Sequence, residues 1–172
     1  MLSFDIFNKP QETSAEALQK LFDICFDTCD MFSLSSYPWI GQDGTMERAL
    51  ATFMVHRMNT MHWFCQYALE EEHPIHLRIY PLNEQTKNIL RTHYRGLFLD
   101  DWSINGQRWR PSLEDLCFFR NGKLLFGTLS HEHMCGAYPE DDEALAQRFR
   151  DALPGWEEPG RFPDEQITLP EF

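Results

Sequence analysis

Two short apolar runs separated by Asn121-Gly122 constrain this chain more than any other feature. Leu116-Cys117-Phe118-Phe119-Arg120 and Lys123-Leu124-Leu125-Phe126-Gly127-Thr128-Leu129 flank a dipeptide that accepts positive φ at both central positions of a type I′ turn. A two-residue turn sets the register, with Arg120 opposite Lys123, Phe119 opposite Leu124, Phe118 opposite Leu125 and Cys117 opposite Phe126. Cys117, Phe119, Leu124 and Phe126 then line one face, and Leu116, Phe118, Leu125 and Leu129 the other. A hairpin apolar on both sides belongs inside a fold, covered on both faces.

The remaining elements arrange themselves around it. Thr13-Ser14-Ala15-Glu16 matches a capping box, and Leu18, Leu21, Phe22, Cys25 and Cys29 follow at helical spacing, which predicts a helix over about 14–30 with core thiols at 25 and 29. Residues 31–44 read as an apolar stub running into turn chemistry. From Thr45, Met46, Leu50, Phe53, Met54, Met58, Met61, Cys65 and Ala68 keep a helical period, which predicts one long helix or two short ones. The methionines on that stripe act as gap-filling core or as an adaptable binding groove. Ile75, Leu77 and Ile79 alternate with polar neighbours as in a half-buried strand, and Asn83 caps a helix ending near Gly96. A second Asn-Gly, at 105 and 106, places Trp102 opposite Trp109, so residues 97–130 read as an antiparallel meander. Pro139 opens a last helix whose first turn is Glu140-Asp141-Asp142-Glu143 and whose stop is Pro154-Gly155. The expectation is a single α+β domain over 1–153, with three to five helices on the meander and the strand near 75–80. A Pro/Gly-rich acidic tail, 154–172, is expected to be extended or disordered, with Trp156, Phe162 and Phe172 to pin it.

Charge is distributed unevenly. Of the net −12, residues 1–30 hold two lysines and six acids, residues 131–172 hold three arginines and eleven acids, and the middle is neutral. Such a field repels nucleic acid backbones and acidic membrane surfaces and attracts basic proteins. No stretch is long and apolar enough for a membrane span, and no secretory signal is visible at residues 1–9, so the expected location is the cytoplasm. An odd count of five cysteines fits reduced thiols.

Common catalytic signatures are absent: there is no G-x-S-x-G, no phosphate-binding loop, no G-x-G-x-x-G and no H-E-x-x-H. What remains is Ser130-His131-Glu132-His133. On an extended chain His131 and His133 share a face, one geometry for a zinc or iron pair, with Glu132 between them as a candidate acid or base. Two ligands do not make a site, and surface imidazoles are the commoner use of H-x-H, so no cofactor and no metal are expected. The leading expectation is an acidic, non-enzymatic module that binds a basic protein, in the manner of an inhibitor or immunity-type binder. Asp141, Asp142, Glu157 and Glu158, with Trp102 and Trp109, are its candidate contacts. The alternative is a metal-dependent hydrolase built on His131 and His133.

Overall fold

The computed structural model describes residues 2–6, 14–37, 43–160 and 167–172. In chain order the strands and α-helices are β1 (Leu2–Ile6), α1 (Ala15–Thr28), β2 (Met31–Ser36), α2 (Thr45–Leu50), β3 (His56–Thr60), β4 (His62–Trp63), β5 (Gln66–Tyr67), β6 (Ile75–Pro81), α3 (Glu84–His93), β7 (Ser103–Ile104), β8 (Gln107–Arg108), β9 (Leu113–Arg120), β10 (Lys123–Leu129), β11 (Met134–Glu140) and α4 (Glu143–Ala152). Seven strands form one antiparallel sheet in the order β1-β11-β10-β9-β2-β6-β3, and β4-β5 and β7-β8 are separate two-stranded ribbons. The expected α+β architecture, an antiparallel sheet packed with helices, is the observed one.

β9 and β10 sit near the middle of the sheet, as their two apolar faces require. Asn121 and Gly122 both have positive φ, +52° and +76°, which is the type I′ turn. Arg120 faces Lys123 and Phe119 faces Leu124, but the register then shifts so that Phe126 faces Phe118 and Gly127 faces Cys117. This corrects the uniform pairing expected from turn length alone. The extra residue in β10 is a bulge, and it turns Leu125 and Phe126 together toward the helices. There Phe126 stacks on Phe149 of α4, centroids 6.0 Å apart.

The helical face carries the larger core. Phe22 and Phe26 of α1 stack on each other and meet the Phe118 ring edge-on, and Phe32 stacks on Tyr80. Ser14 caps α1 by accepting from the Ala17 amide, and Asn83 forms the capping box of α3 with Thr86. Cys25 is fully buried, as the reading of a core thiol expects.

The opposite face has a smaller core of Trp63, Phe64, Ile75, Leu77, Cys117, Phe119, Leu124 and Tyr138. Phe64, from the turn between β4 and β5, lies over Gly127 and Gly136, which face each other across β10 and β11. A Cβ added at Gly127 would stand 2.9 Å from the Phe64 ring and one at Gly136 3.1 Å, so both glycines serve close approach of that ring. Residues 167–169 lie along the hairpin turn. Leu124 donates its amide to the Ile167 carbonyl and Leu169 donates to Gly122 O, while Ile167 and Leu169 pack on the smaller core. Phe172 stacks on His56 at 4.7 Å. Trp156 also docks, its indole donating to Phe149 O at 2.8 Å; Phe162 lies outside the described residues. Leu169→Ala is expected to lower stability by about 1–2 kcal/mol, the lower range for truncating a half-buried leucine, measured as a shift of denaturant midpoint at unchanged slope. A midpoint equal to the parent's would show that this segment rests on the sheet without supporting it.

Several expectations are corrected. The apolar period from Thr45 continues as helix only to Leu50, with a single 3₁₀ turn to Phe53, before the chain becomes β3 and the β4-β5 ribbon. Met46 is buried on the helical side, Met58 packs on the smaller core and Met61 is exposed, so no continuous methionine groove exists. Residues 31–36, read as a stub and loop, are β2, an interior strand between β9 and β6. Pro139 lies in β11, and the last helix begins at Glu143 with Asp142 as its cap. The expected pairing of Trp102 with Trp109 does form, the Trp109 amide donating to the Trp102 carbonyl at 3.2 Å, but the two rings go different ways: Trp102 is buried and meets Tyr94 edge-on at 5.3 Å, whereas Trp109 is 37% exposed.

Candidate functional site

The most unusual chemistry lies where β9 enters the sheet. Ser35 of β2 faces Glu114 and Ser33 faces Cys117, so Leu34 alone opposes both Asp115 and Leu116. The bulge is possible because Asp115 adopts the left-handed region, φ +56°, which aspartate tolerates better than most residues. Its effect is to bring two consecutive carboxylates into the interior: Glu114 is 1% exposed and Asp115 2%. Burying two adjacent acids is unfavourable unless each is compensated.

Asp115 is compensated mainly by hydrogen bonds. Its Oδ1 accepts from the Ser130 amide at 2.7 Å and the Ser130 hydroxyl at 3.0 Å, and Ser130 Oγ in turn accepts from the Asp115 amide at 3.1 Å. Asp115 Oδ2 accepts from the Tyr37 hydroxyl at 2.8 Å, and Tyr37 accepts from Gln66 of β5 at 2.7 Å. Burial, and then the neighbouring Glu114 charge, nevertheless hold the Asp115 carboxyl above its ordinary range.

Glu114 is compensated by charge. Arg110 grips it in a fork, Nη2 to Oε1 at 2.8 Å and Nε to Oε2 at 3.1 Å. His131 Nδ1 stands 3.6 Å from Glu114 Oε1, too long for a hydrogen bond, and its Nε2 is 3.8 Å from Glu132. The facing Glu114 carboxylate, together with Asp115, raises the imidazole above its ordinary pKa against the opposing effect of burial. Glu114, Asp115 and His131 each offer a ligand atom within 4.8 Å of the others. This set is able to hold a proton or a cation, with one half-exposed member, His131, at its mouth.

The candidates read from sequence fall in different places. Ser130, His131 and Glu132 form a 3₁₀ turn and His133 is left-handed, φ +56°, so the extended chain that would align the two imidazoles does not occur. His131 turns to the carboxylates, while His133 lies edge-on to Phe98 at 6.0 Å. Glu132 is exposed beside His131. Trp102 has no surface to offer a partner, its indole donating to Gly96 O inside the core. Asp142 caps α4 through the Leu145 amide, and Glu158 and Glu143 are both held by Arg150. Asp141 and Glu157 are exposed.

A second feature is the packing of the first helix against the last. α1 and α4 lie side by side, joined by Arg148 to Asp27 at 2.8 Å, above a shallow groove of about 260 Å³ lined by Lys20, Asp23, Ile24, Arg148, Asp151 and Ala152. Residues 15–30 and 140–158 carry eleven acidic side chains against three basic ones. Arg91 of α3 neutralises Asp23 in part, at 2.7 Å.

Sequence reasoning found His131 and missed Glu114, Asp115, Tyr37 and Arg110. One signal was present: Glu114-Asp115 opens a strand whose two faces are otherwise apolar, so an acidic pair there has to be buried or end the strand. No family model, curated protein or solved structure matches this chain. Among the described residues no helix is long and apolar enough to cross a membrane.

Proposed function

We propose that this protein is a non-enzymatic binding module whose acidic α1-α4 face receives a basic protein, the role of an inhibitor being the kind such a module fills. The observation that supports this reading is the side-by-side packing of α1 and α4, joined by Arg148 to Asp27, which brings Glu16, Asp23 and Asp27 of one helix and Glu143 and Asp151 of the other onto adjoining surfaces. Had the helices lain at opposite poles, the same charge would serve mainly solubility. The exposed acids best placed for contact are Asp23, Asp27 and Asp151 around the groove, with Asp141 and Glu157 beyond it. Asp23, Asp27 and Asp151 are exposed although each already has a partner, Arg91, Arg148 and Gln147 in turn, while Asp142 caps α4 and Glu158 is gripped by Arg150.

A steered complex forms faster at low salt, because complementary fields accelerate encounter more than they slow escape. The expected result, for a basic protein captured from the native source, is a markedly slower association on raising salt from about 50 to 200 mM, with dissociation changing less. Neutralising Asp23, Asp27, Asp141 and Asp151 to asparagine should mimic the salt. An association rate indifferent to both would move recognition to other surfaces, such as the exposed Tyr67 and Leu69 near the β4-β5 ribbon.

A further inference from the structure

The buried cluster at the head of β9 is built more elaborately than a structural ion pair requires. His131 Nδ1 is buried yet hydrogen-bonds to nothing among the described residues, and it faces Glu114 Oε1 at 3.6 Å. Two ligands on a tetrahedral zinc, each at about 2.0–2.2 Å, stand about 3.3–3.6 Å apart, so this pair already has the spacing of a coordination edge. The third ligand atom, from Asp115, lies within 4.8 Å of the other two.

Each member also has the outer partner that ligands usually have. Glu114 is held by Arg110, Asp115 by Tyr37 and Ser130, and the far nitrogen of His131 looks toward the Glu132 carboxylate at 3.8 Å. Two further polar groups point to an occupant. The Tyr94 hydroxyl, in a side chain 3% exposed, makes no hydrogen bond among the described residues, although Asp115 and the Ser130 and Thr128 hydroxyls are its polar surroundings. Ser35 Oγ, fully buried and directly opposite Glu114, is also unpartnered. Buried polar atoms left without partners around a cluster of potential ligands are where an ion and its bound water would be expected.

We propose that Glu114, Asp115 and His131 bind one divalent transition-metal ion, with zinc(II) the ion that one imidazole nitrogen and two carboxylate oxygens suit best. The site is distinct from the acidic helix face and differs from an H-x-H pair, since His133 takes no part. Arg110 stays on Glu114 as an outer hydrogen-bond donor and offsets part of the negative charge. That favours an ion bound at moderate strength over a structural metal on which folding depends.

The test is calorimetric titration of the chelator-treated full-length protein with zinc chloride, and separately with manganese chloride. One equivalent of zinc is expected to bind saturably and to raise the melting temperature. His131→Gln, at a half-exposed position that leaves the core intact, should weaken binding by at least about 10-fold and remove the thermal shift, while His133→Gln leaves both unchanged. Asp115→Asn should weaken binding comparably; if that variant fails to fold, His131→Gln decides alone. No saturable zinc binding, or binding that survives His131→Gln undiminished, overturns the proposal. Tighter binding of manganese than zinc at the same site would overturn the choice of ion.

Discussion

Truncating Phe119 or Phe126 to alanine is expected to lower the unfolding free energy by about 3–5 kcal/mol each, the range for deleting a fully buried aromatic ring. The two rings serve different cores: Phe119 meets Trp63 at 5.9 Å on the smaller one, and Phe126 stacks on Phe149 beneath α4. Their effects should therefore add in the double variant to within about 0.5 kcal/mol. Arg120→Ala is the control, since the pair Arg120 makes with Glu140 at 3.5 Å is surface-exposed and removing it should change stability by about 0.5 kcal/mol or less. Denaturant midpoints at matched slope give all four values. Parent-like stability in either phenylalanine variant would contradict the central place of the hairpin.

Asp115→Ala is expected to cost about 2–4 kcal/mol, whereas Asp115→Asn should cost less than about 1 kcal/mol. Alanine leaves the buried Ser130 amide and hydroxyl without their acceptor, leaves the Tyr37 hydroxyl with Gln66 alone, and puts a residue with no local hydrogen bonding at φ +56°. Asparagine keeps an acceptor oxygen, tolerates the same backbone and removes one of two neighbouring negative charges, a relief that offsets part of what is lost. Urea unfolding of both variants, without added metal, makes the comparison. Equal destabilisation would show that the charge of Asp115, and not its hydrogen-bonding shape, holds the bulge.

The parts of this fold legible from sequence were those fixed by local chemistry. Asn121-Gly122 and Asn105-Gly106 both form the turns expected of them, Asn83 caps its helix, Ile75 to Tyr80 is a strand, and the first helix starts where its capping pattern placed it, although its cap is Ser14 through the Ala17 amide and not the Thr13–Glu16 box. What escaped depended on partners distant in sequence. β2 reads Met-Phe-Ser-Leu-Ser-Ser, and its serines suggest a turn; only its position between β9 and β6 buries Ser33 and Ser35 completely. The false helix beyond Leu50 arose because a strand, a tight ribbon and a helix can all place apolar residues three or four apart. Pro139 resembled a helix start although it sits near the end of β11, three residues ahead of Asp142, which caps α4. The candidate site was half visible for the same reason. His131 stood out by its neighbours in sequence, while Glu114 and Asp115 reach it only through a bulge that their own residue types do not announce.

The placement of β2 has a consequence for the order in which the molecule assembles. Its partner β6 follows 39 residues after its end, but its other partner, β9, begins at residue 113. At ribosomal rates of about 5–20 residues per second, β9 emerges on the order of 4–15 s after β2. In the later part of that interval, once β6 and α3 have emerged, α1, β2, β3, β6 and α3 can associate, leaving one side of β2 with unpaired amides and carbonyls beside Phe32 and Leu34. β1 waits longer still, since among the described residues its partner strand is β11. A nascent chain of this protein therefore presents an open, apolar strand edge for seconds, and that edge is where intermolecular pairing would begin if synthesis stalled before residue 113.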